Sequence, residues 1–365
     1  MPTDVRAAVM FGPHEPLRIE TVTLADPGPR EVRISLKSSG VCHSDLNYLH
    51  GVAQHYLPVV LGHEGFGTVV EVGEEVTRVQ VGDTVMPFLV PECGVCELCM
   101  SGLTNRCQEL DFNFMNLGNS PISLKGLGVG NLLNTATFAE QTVVNEDYVV
   151  KVNPDADPML ACCLACGVTT GLGAALNTAA VRSGSSVVVF GAGGVGLGAV
   201  QGARVAGAKT IIVVDTNPAK EAVARRLGAT HFLDASSTEL VDQVRSLTGR
   251  GAEYAFECVG RPELYPVAAD LLDRGLGGLL VGVGVLPPSQ TVTLTPAQLS
   301  GVTITRSFMG GAKRADVATY VDWLVAGKID LQDVVSHRLP LDEINRGIEL
   351  ITTGKAVRVV IDFSS

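Results

Sequence analysis

The chain of 365 residues is longer than a single hydrophobic core usually grows, so we expect two domains. It is 46% hydrophobic and only 18% charged, with 41 glycines, a composition that suits a well-packed α/β enzyme and argues against disorder. The formal net charge of −11 would repel nucleic acid and anionic lipid, so we expect small molecules as partners, with no nucleic acid and no membrane.

Three long stretches without charge, 158–181, 183–203 and 275–305, have the length of membrane spans. Polar residues, glycine and proline interrupt them, so buried strands and helices are the better interpretation. The N-terminus shows no basic segment followed by a sustained apolar run, so we expect no secretory signal. A cytoplasmic location follows as the expectation, and there the nine cysteines would serve as thiols or metal ligands rather than disulfides.

Roughly the first 155 residues alternate short apolar segments with Gly, Pro and Asp turns, which is typical of strands. The clearest segments are "EVRISLKSSG", "GFGTVVEVG" and "TFAEQTVV". This half of the chain therefore predicts an irregular, β-rich barrel.

Four cysteines are crowded into this half with the spacing C-x2-C-x2-C-x7-C: Cys93, Cys96, Cys99 and Cys107. At this spacing one loop can wrap its thiolates tetrahedrally around a single zinc ion. Because four thiolates leave no position for water or substrate, such a site would be structural. An iron–sulfur cluster, paired disulfides and unliganded thiols are the alternatives that the spacing leaves open.

After "VNPDADP" the pattern changes to alternating strands and helices. The segments are "SSVVVFG", "GVGLGAVQGARVAG", "TIIVVD", "PAKEAVARRLG", "AEYAFECVG" and "GGLLVGVG". This alternation predicts a doubly wound parallel sheet. The tail then reads as two helices and a strand, which would return to the first domain.

A glycine fingerprint, Gly191-x-Gly193-x-x-Gly196, lies between the first of these strands and its helix. The next strand ends at Asp215, nineteen residues after Gly196, where a ribose-binding carboxylate is expected. The glycines would let the backbone approach a pyrophosphate, and Asp215 would bind the ribose hydroxyls and repel a 2′-phosphate. We therefore predict NAD rather than NADP, the alternative being a turn that only packs helix on strand.

Two further motifs are "GVCHSDLNYLHG" and "LGHEGFGTVVEVG", and a third is "ACGVTTGLG". Together with the cysteine cluster and the glycine fingerprint, in this order, they closely resemble the zinc-dependent medium-chain alcohol dehydrogenases. The resemblance runs from "GVCHSDL" to "GKAVRVVIDF". It implies an α/β protein with an irregular β-rich (GroES-like) catalytic domain over 1–167 and 309–365, and a Rossmann NAD-binding domain over 168–308.

The resemblance also implies a second, catalytic zinc site. Cys42, His63 and Cys166 match the family's ligands, and two thiolates with one imidazole leave a fourth position open for substrate. Asp45 matches the carboxylate that orients the ligand histidine, and Glu64 matches the acid beside the zinc.

Further positions match residues that contact the alcohol or the cofactor. Ser44 matches the hydroxyl that hydrogen-bonds the zinc-bound alcohol. The candidate cofactor contacts are His43, Thr170, Gly191, Gly193, Gly194, Val195, Gly196, Asp215, Lys220, Val283 and Arg358. Leu89, Val283 and Val285 fall where the family places pocket walls, and the segment 108–134 is expected to shape the entrance. This apolar lining suits an aliphatic or aromatic alcohol better than an anionic thiol adduct.

The resemblance breaks at Asn47. Many relatives carry a histidine there, which is thought to receive the alcohol proton through Ser44, whereas an amide cannot titrate near neutral pH. The proton would leave through ordered water or through His50, or its net release would be unnecessary in an enzyme that retains its cofactor.

The expected function is reversible, zinc-dependent oxidation of a primary or secondary alcohol by NAD, with two zinc ions per chain in a homodimer or homotetramer. The alternatives are a thiol-dependent formaldehyde dehydrogenase and an alcohol:aldehyde oxidoreductase with permanently bound NAD. A zinc-braced NAD-binding protein without turnover is the alternative outside enzymes.

Overall fold

The computed structural model describes residues 1–53, 56–110, 120–286 and 289–364, and it divides the chain into two compact units. Unit 1 comprises Met1–Cys166 and Lys313–Ser365, and unit 2 comprises Gly167–Ala312. The assignment of catalysis to the first and of NAD binding to the second stays a prediction. Residues 111–119 of the predicted entrance segment lie outside the described residues.

The described strands of residues 1–166 are β1 (Thr3–Met10), β2 (Arg18–Leu24), β3 (Glu31–Val41), β4 (Val59–Val60), β5 (Glu64–Val72), β6 (Thr84–Pro87), β7 (Ile122–Leu124), β8 (Leu127–Gly128), β9 (Gly130–Asn131), β10 (Gln141–Asn145) and β11 (Val149–Lys151). The α-helices of this part are α1 (His43–Leu49), α2 (Glu97–Met100) and α3 (Pro158–Ala161).

In unit 2 the helices are α4 (Gly167–Gly173), α5 (Gly194–Val205), α6 (Glu221–Leu227), α7 (Leu240–Thr248), α8 (Leu264–Asp270) and α9 (Pro296–Leu299). Its strands are β12 (Ser186–Phe190), β13 (Thr210–Asp215), β14 (His231–Asp234), β15 (Tyr254–Glu257), β16 (Gly278–Gly282) and β17 (Val302–Arg306). The tail contributes α10 (Arg314–Val325), β18 (Val335–Pro340), α11 (Ile344–Thr352) and β19 (Arg358–Asp362).

Short 3-10 helices join these elements at Thr104–Arg106, Leu132–Asn134, Glu146–Tyr148, Cys162–Ala165, Pro218–Lys220, Met309–Gly311 and Leu341–Glu343, and a π-helix spans Ala174–Thr178.

Unit 1 is β-rich, as predicted. One of its sheets has the strand order β8-β7-β2-β1-β4-β9, and the other has β11-β6-β5-β3-β19-β18, with β10 also paired to β3. Val32, Ile34 and Leu36 alternate along β3 and lie in one buried cluster with residues of β5, β6 and β10. Because β3 lies between β5 and β19, the position of its last residue, Val41, and of the residues that follow it is fixed by the sheet.

The tail differs from its predicted form, because it contains two strands rather than one. β19 pairs antiparallel with β3, and β18 pairs parallel with β19 at the edge of the sheet. The sequence of β18, "VSHRLP", buries only Val335 and Leu339 and carries a proline, which an edge strand tolerates. Because β18 has no continuous apolar run, its sequence did not predict a strand.

Unit 2 confirms the predicted doubly wound sheet. Its strands are parallel throughout, in the order β14-β13-β12-β15-β16-β17. The four inner strands β12, β13, β15 and β16 are short and mostly buried, as a sheet covered on both faces requires, whereas the edge strands β14 and β17 are only partly buried. The order reverses between β12 and β15, and this switch point is where doubly wound sheets bind their ligands.

Candidate active site

Cys42, His63, Glu64 and Cys166 form a buried cluster in unit 1. Each offers one ligand atom, and these atoms all lie within 4.8 Å of one another. Two thiols and an imidazole are ligands that zinc prefers. The donor set therefore fits the predicted catalytic zinc.

The backbone explains why these residues meet. β3 and β5 are antiparallel partners, with Gly40 opposite Glu64. Cys42 follows the end of β3 and His63 precedes the start of β5, so both lie at the same end of this strand pair. Cys166 follows the 3-10 helix Cys162–Ala165, which packs against β5.

Asp45 holds two of these ligands in place through three hydrogen bonds. Its Oδ2 accepts the backbone N–H of Cys42 at 3.0 Å, and its Oδ1 accepts the N–H of Gly62 at 3.1 Å. Oδ1 also lies 3.2 Å from Nδ1 of His63, and both side chains are fully buried. With Nδ1 committed to Asp45, Nε2 is left for a metal; in the described part of the chain this buried atom has no hydrogen-bond partner.

The charges around the cluster favour the thiolate of Cys42. A hydrogen bond from Cys166 lowers the pKa of Cys42 well below its ordinary value, helped by the positive charges of Arg358 and His63 and opposed by burial. Burial lowers the pKa of His63, but the carboxylate of Asp45 and the Cys42 thiolate outweigh it, so the net pKa is raised. A thiolate is the form that binds zinc, and the imidazole must lose its proton to do so.

Arg358 lies beside the cluster and is buried. Its guanidinium donates to the carbonyl of Val41 at 3.1 Å and pairs with the carboxylate of Glu64. Burial raises the pKa of Glu64 well above its ordinary value, against the effect of Arg358. The predicted contact of Arg358 with a pyrophosphate stays a prediction.

The other predicted residues of unit 1 lie in or directly after α1, except Leu89, which follows β6. Ser44 is half-buried, and its Oγ lies 3.7 Å from Sγ of Cys42. Asn47 is also half-buried, and its carbonyl accepts the N–H groups of Val52 and Ala53, which closes the loop after α1. Leu89 is buried, whereas His43 and His50 are exposed.

The second cysteine cluster forms as the spacing predicts. The sulfur atoms of Cys93, Cys96, Cys99 and Cys107 all lie within 4.8 Å of one another. The pairs Cys93–Cys99 and Cys96–Cys107 are both 3.9 Å apart, far beyond a disulfide bond, and all nine cysteines are free. The disulfide alternative therefore does not hold, and the four-sulfur donor set fits a structural zinc.

The loop that carries this cluster presents backbone amides to its sulfurs. The N–H groups of Gln108 and Cys99 donate to Sγ of Cys96 and lower its pKa to about 6. Burial acts in the opposite direction on Cys99 and raises its pKa to about 12. Arg78 donates to the carbonyl of Cys93 at 3.1 Å and so ties the loop to the body of unit 1.

The glycine fingerprint lies at the carboxyl end of β12 in unit 2. Gly191 has φ +91°, and a Cβ on Gly196 would lie 1.7 Å from the carbonyl oxygen of Gly191, so the turn itself requires both glycines. A Cβ on Gly193 would meet nothing within 4 Å. The fold does not explain this glycine, whereas the close approach of a pyrophosphate would. Gly194 and Val195 begin α5 directly behind it.

Asp215 lies at the end of β13 beside this turn. Its Oδ2 accepts the N–H of Ala192 at 2.7 Å, and its Oδ1 accepts the N–H of Asn217 at 2.8 Å. Nζ of Lys220 lies 3.0 Å from Oδ2. The carboxylate thus shapes the glycine turn, and Lys220 is held next to it.

The remaining predicted residues of unit 2 are Thr170, Val283 and Val285. The Thr170 hydroxyl lies 3.5 Å from the sulfur of Met309, and Val283 is buried. Val285 is 67% exposed. Their roles toward cofactor and substrate stay predictions.

No single helix in the described ranges is long and apolar enough to cross a membrane. One bent pair, Pro158–Ala165 with Gly167–Thr178, passes such a test on length and composition alone.

A β-rich unit with a buried Cys2His donor set and a four-cysteine loop, followed by a doubly wound parallel sheet, is typical of zinc-dependent dehydrogenases. Comparison with known families agrees: residues 28–154 match an alcohol dehydrogenase GroES-like domain, and residues 194–326 match a zinc-binding dehydrogenase domain. The chain belongs to the zinc-dependent medium-chain alcohol dehydrogenases, and it is an oxidoreductase of that family.

Its relatives match it from end to end. It is 41% identical to the S-(hydroxymethyl)glutathione dehydrogenase of Escherichia coli O157:H7, over 98% of this chain and 99% of that one. A crystal structure of an alcohol dehydrogenase zinc-binding domain protein from Burkholderia ambifaria superposes with a TM-score of 0.94 at 31% identity, covering 99% of each chain. Benzyl alcohol dehydrogenase from Acinetobacter calcoaceticus superposes with a TM-score of 0.91 at 30% identity, again over 99% of each chain.

Proposed function

We propose that this protein oxidises a neutral, hydrophobic primary or secondary alcohol to the aldehyde or ketone, reversibly and with NAD as hydride acceptor. The observation that carries the proposal is the buried set of Cys42, His63 and Cys166, with His63 held by Asp45. A zinc ion bound by these three ligands would supply a Lewis acid that lowers the pKa of a bound alcohol.

The protein's own side chains have distinct tasks in this proposal. Asp45 accepts from Nδ1 of His63 and so keeps Nε2 available as a ligand. Ser44, with its Oγ 3.7 Å from Sγ of Cys42, would relay the proton that the alcohol loses by passing its own hydroxyl proton to a water or another hydroxyl group. Asn47 cannot take that proton further as a base, so it would hold a water or a hydroxyl group in position.

NAD is favoured as the cofactor by the glycine turn and by Asp215. Gly193 leaves open the space that a pyrophosphate would need, and the amides of the turn would bind its oxygens. Asp215 presents its carboxylate beside that turn, which suits ribose hydroxyls and opposes a 2′-phosphate.

The choice of a neutral substrate rests on charge and apolar lining. The predicted entrance segment 108–134 contains one basic residue, Lys125, against Glu109 and Asp111, and the whole chain carries a net charge of −11. Leu89 and Val285 are the predicted pocket walls. An anionic thiol adduct would find little positive charge in this segment, whereas an aromatic or aliphatic alcohol needs none.

A second candidate is oxidation of an S-hydroxymethyl thiol adduct. It is favoured by the name of the Escherichia coli relative, to which the chain is 41% identical over almost its whole length. The Acinetobacter relative, named for benzyl alcohol, favours the first candidate.

The test is a series of kcat/KM values for NADH formation by the zinc-loaded protein, from ethanol to octanol, with benzyl alcohol and S-hydroxymethylglutathione. We expect the highest value for benzyl alcohol or a long-chain alcohol, and a value at least about tenfold lower for the thiol adduct, a difference of roughly 1.4 kcal/mol in transition-state binding. A higher value for the thiol adduct would favour the second candidate. Turnover only when an aldehyde is added as acceptor would indicate permanently bound NAD, and no turnover with bound zinc and NAD would favour a binding protein.

The proposal includes an assembly and a location. We propose a homodimer or homotetramer in the cytoplasm, with a small alcohol or aldehyde as the partner molecule. Size-exclusion chromatography with light scattering would test the assembly.

A further inference from the structure

Glu257 is a fully buried carboxylate at the carboxyl end of β15 that the proposed reaction does not use. Its Oε1 accepts the N–H groups of the next turn, from Val259 at 2.9 Å, Gly260 at 2.7 Å and Arg261 at 3.4 Å. Its Oε2 is buried too and has no hydrogen-bond partner among the residues that the structure describes. One carboxylate oxygen thus fixes three successive amides of the loop 258–261.

The backbone of Glu257 fixes a second loop, 283–285. Its carbonyl oxygen accepts the N–H groups of Val283 and Gly284, both at 2.8 Å. The two loops touch backbone to backbone, because a Cβ on Gly284 would lie 2.1 Å from the amide nitrogen of Gly260. Arg306 holds the second loop from another side, since it donates to the carbonyl of Gly284 at 2.9 Å and to the hydroxyl of Tyr265 at 2.7 Å.

The loop 258–261 lies beside the glycine turn. β12 and β15 are neighbours on the two sides of the switch point, with Phe190 in register with Glu257. Val259 packs against Gly191 so closely that a Cβ added to Gly191 would lie 2.8 Å from Cγ2 of Val259. In doubly wound sheets a dinucleotide binds in the crevice at this point, so the loop 258–261 forms the wall that faces the glycine turn.

Keeping a carboxylate in this place has a cost. Burial raises the pKa of Glu257, and the three amides and the positive charge of Arg306 offset that only in part. An apolar side chain would fill the space without the desolvation penalty but would leave the three amides without their acceptor. The carboxylate of Glu257 therefore stabilises the position of the loop 258–261.

We propose that Glu257 is a positioning residue for the dinucleotide: it holds the loop 258–261 against the glycine turn and the loop 283–285 against the loop 258–261, and so preforms the crevice. The inference rests on the proposed binding of NAD. It extends that proposal from the residues that would contact the cofactor to one that acts through two loops.

The test compares Glu257→Ala with Glu257→Gln in the full-length, zinc-loaded protein. NADH affinity is measured by fluorescence titration, and KM is measured separately for NAD and for the alcohol. Glu257→Ala removes the acceptor of three amides, so we expect the Kd for NADH and the KM for NAD to rise about tenfold or more, with the KM for the alcohol and the zinc content unchanged. Glu257→Gln keeps an acceptor oxygen, so its Kd for NADH should stay within about threefold of the unmodified value.

Glu253→Ala is the matched control, since Glu253 lies at the other end of the same strand. Its carboxylate also accepts a backbone N–H, from Ser186 at 3.3 Å, and pairs with Arg182. We expect this variant to lose thermal stability with an unchanged Kd for NADH. If Glu257→Ala does not fold, Glu257→Asp replaces it, because the shorter side chain retracts the acceptor and should also weaken NADH binding.

The outcomes separate the two proposals. Failure of the unmodified protein to bind NADH at all would overturn the proposed function. NADH binding by the unmodified protein, with an equal Kd in the folded Ala or Asp variant, would overturn the positioning role of Glu257. A loss of melting temperature without a change in Kd would mean a purely structural role and would also overturn it.

Discussion

Asp45 shows at the scale of one residue how the site is organised. Its two oxygens accept from Cys42, Gly62 and His63, so one carboxylate sets the backbone of one ligand and the ring of another. The sequence pattern led only to the histidine contact. The two backbone contacts depend on the antiparallel register of β3 and β5, which the sequence does not specify by itself.

Asp45→Asn should weaken zinc binding at the catalytic site without unfolding the protein. An amide offers one acceptor oxygen for three donors, and its NH2 group would favour the tautomer of His63 that carries its proton on Nε2. We expect the catalytic site to bind zinc less tightly and to lose part of it on dialysis, with zinc affinity and kcat/KM each lowered by about 10- to 100-fold, as for other metal-ligand partners. Metal analysis of the purified variant checks the zinc content, and an alcohol oxidation assay checks kcat/KM. Two zinc ions per chain with unchanged activity would contradict the role given to Asp45.

Asp215→Ser should narrow the preference for NAD over NADP. The variant loses the carboxylate that opposes a 2′-phosphate, and it releases Lys220, whose Nζ lies 3.0 Å from Oδ2 of Asp215. We expect the ratio of kcat/KM values to shift toward NADP by about tenfold to a hundredfold. Because Asp215 also accepts from Ala192, NADH affinity should fall in the same variant. An unmodified enzyme that already prefers NADP would show the assignment to be wrong.

Asn47→His tests whether position 47 lies on the proton path. A histidine with an ordinary pKa of about 6.5 would be neutral above about pH 7 and could then accept a proton. The amide of Asn47 cannot act as a base at any of these pH values. We expect faster alcohol oxidation below about pH 8 in the variant, followed from about pH 6 to 10. The result counts against the proton path if the profile is unchanged while a solvent isotope effect shows proton transfer to be partly rate-limiting.

At the scale of elements, the four-cysteine loop is a local segment of unit 1 whose four sulfur atoms fit a structural zinc. The cysteine spacing predicted the four-sulfur cluster, because ligand geometry is local and the segment from the first ligand to the last is only fifteen residues long. The attachment of the loop was not predictable. Arg78 reaches the carbonyl of Cys93, and Glu92 pairs with Arg314 of α10, a contact across 222 residues of sequence.

Cys96→Ser should lower the stability of the protein and leave the catalytic site occupied. Structural zinc binding is coupled to folding, so losing one of four thiolates releases the metal and loosens the loop. We expect a lower melting temperature and one zinc per chain, with alcohol oxidation retained in the protein that stays folded. A melting temperature equal to that of the unmodified protein would argue against a structural metal in this loop.

Other elements show which features a sequence pattern predicts and which it does not. β13 was predicted to the residue, because an apolar run ends at a charged Asp215. β18 gave no signal, since it buries two side chains only. Glu257 also gave none: in the sequence it is one acid after a strand, and its role depends on the neighbouring loops of β16 and on the glycine turn of β12.

At the scale of the whole molecule, the residues proposed for metal binding and those proposed for cofactor binding lie in different units. Unit 1 carries both metal-binding clusters, and unit 2 carries the glycine turn, Asp215 and Glu257. The family and the fold were predictable because five motifs in one order extend over nearly the whole chain. The substrate was not, because pocket walls are ordinary apolar side chains whose identity does not specify one alcohol.

The most direct test of the central claim is the rate of NADH formation from benzyl alcohol by Cys166→Ser, measured beside the unmodified protein. Serine replaces a thiolate ligand by a hydroxyl that binds zinc poorly, while the four-cysteine loop stays intact. We predict steady NADH formation by the unmodified protein with two zinc ions per chain. The variant should be folded, hold one zinc ion and form NADH at least about a thousandfold more slowly, as loss of a Lewis acid worth several kcal/mol requires. Equal rates in the two proteins would contradict the assignment of Cys42, His63 and Cys166 as the catalytic zinc site.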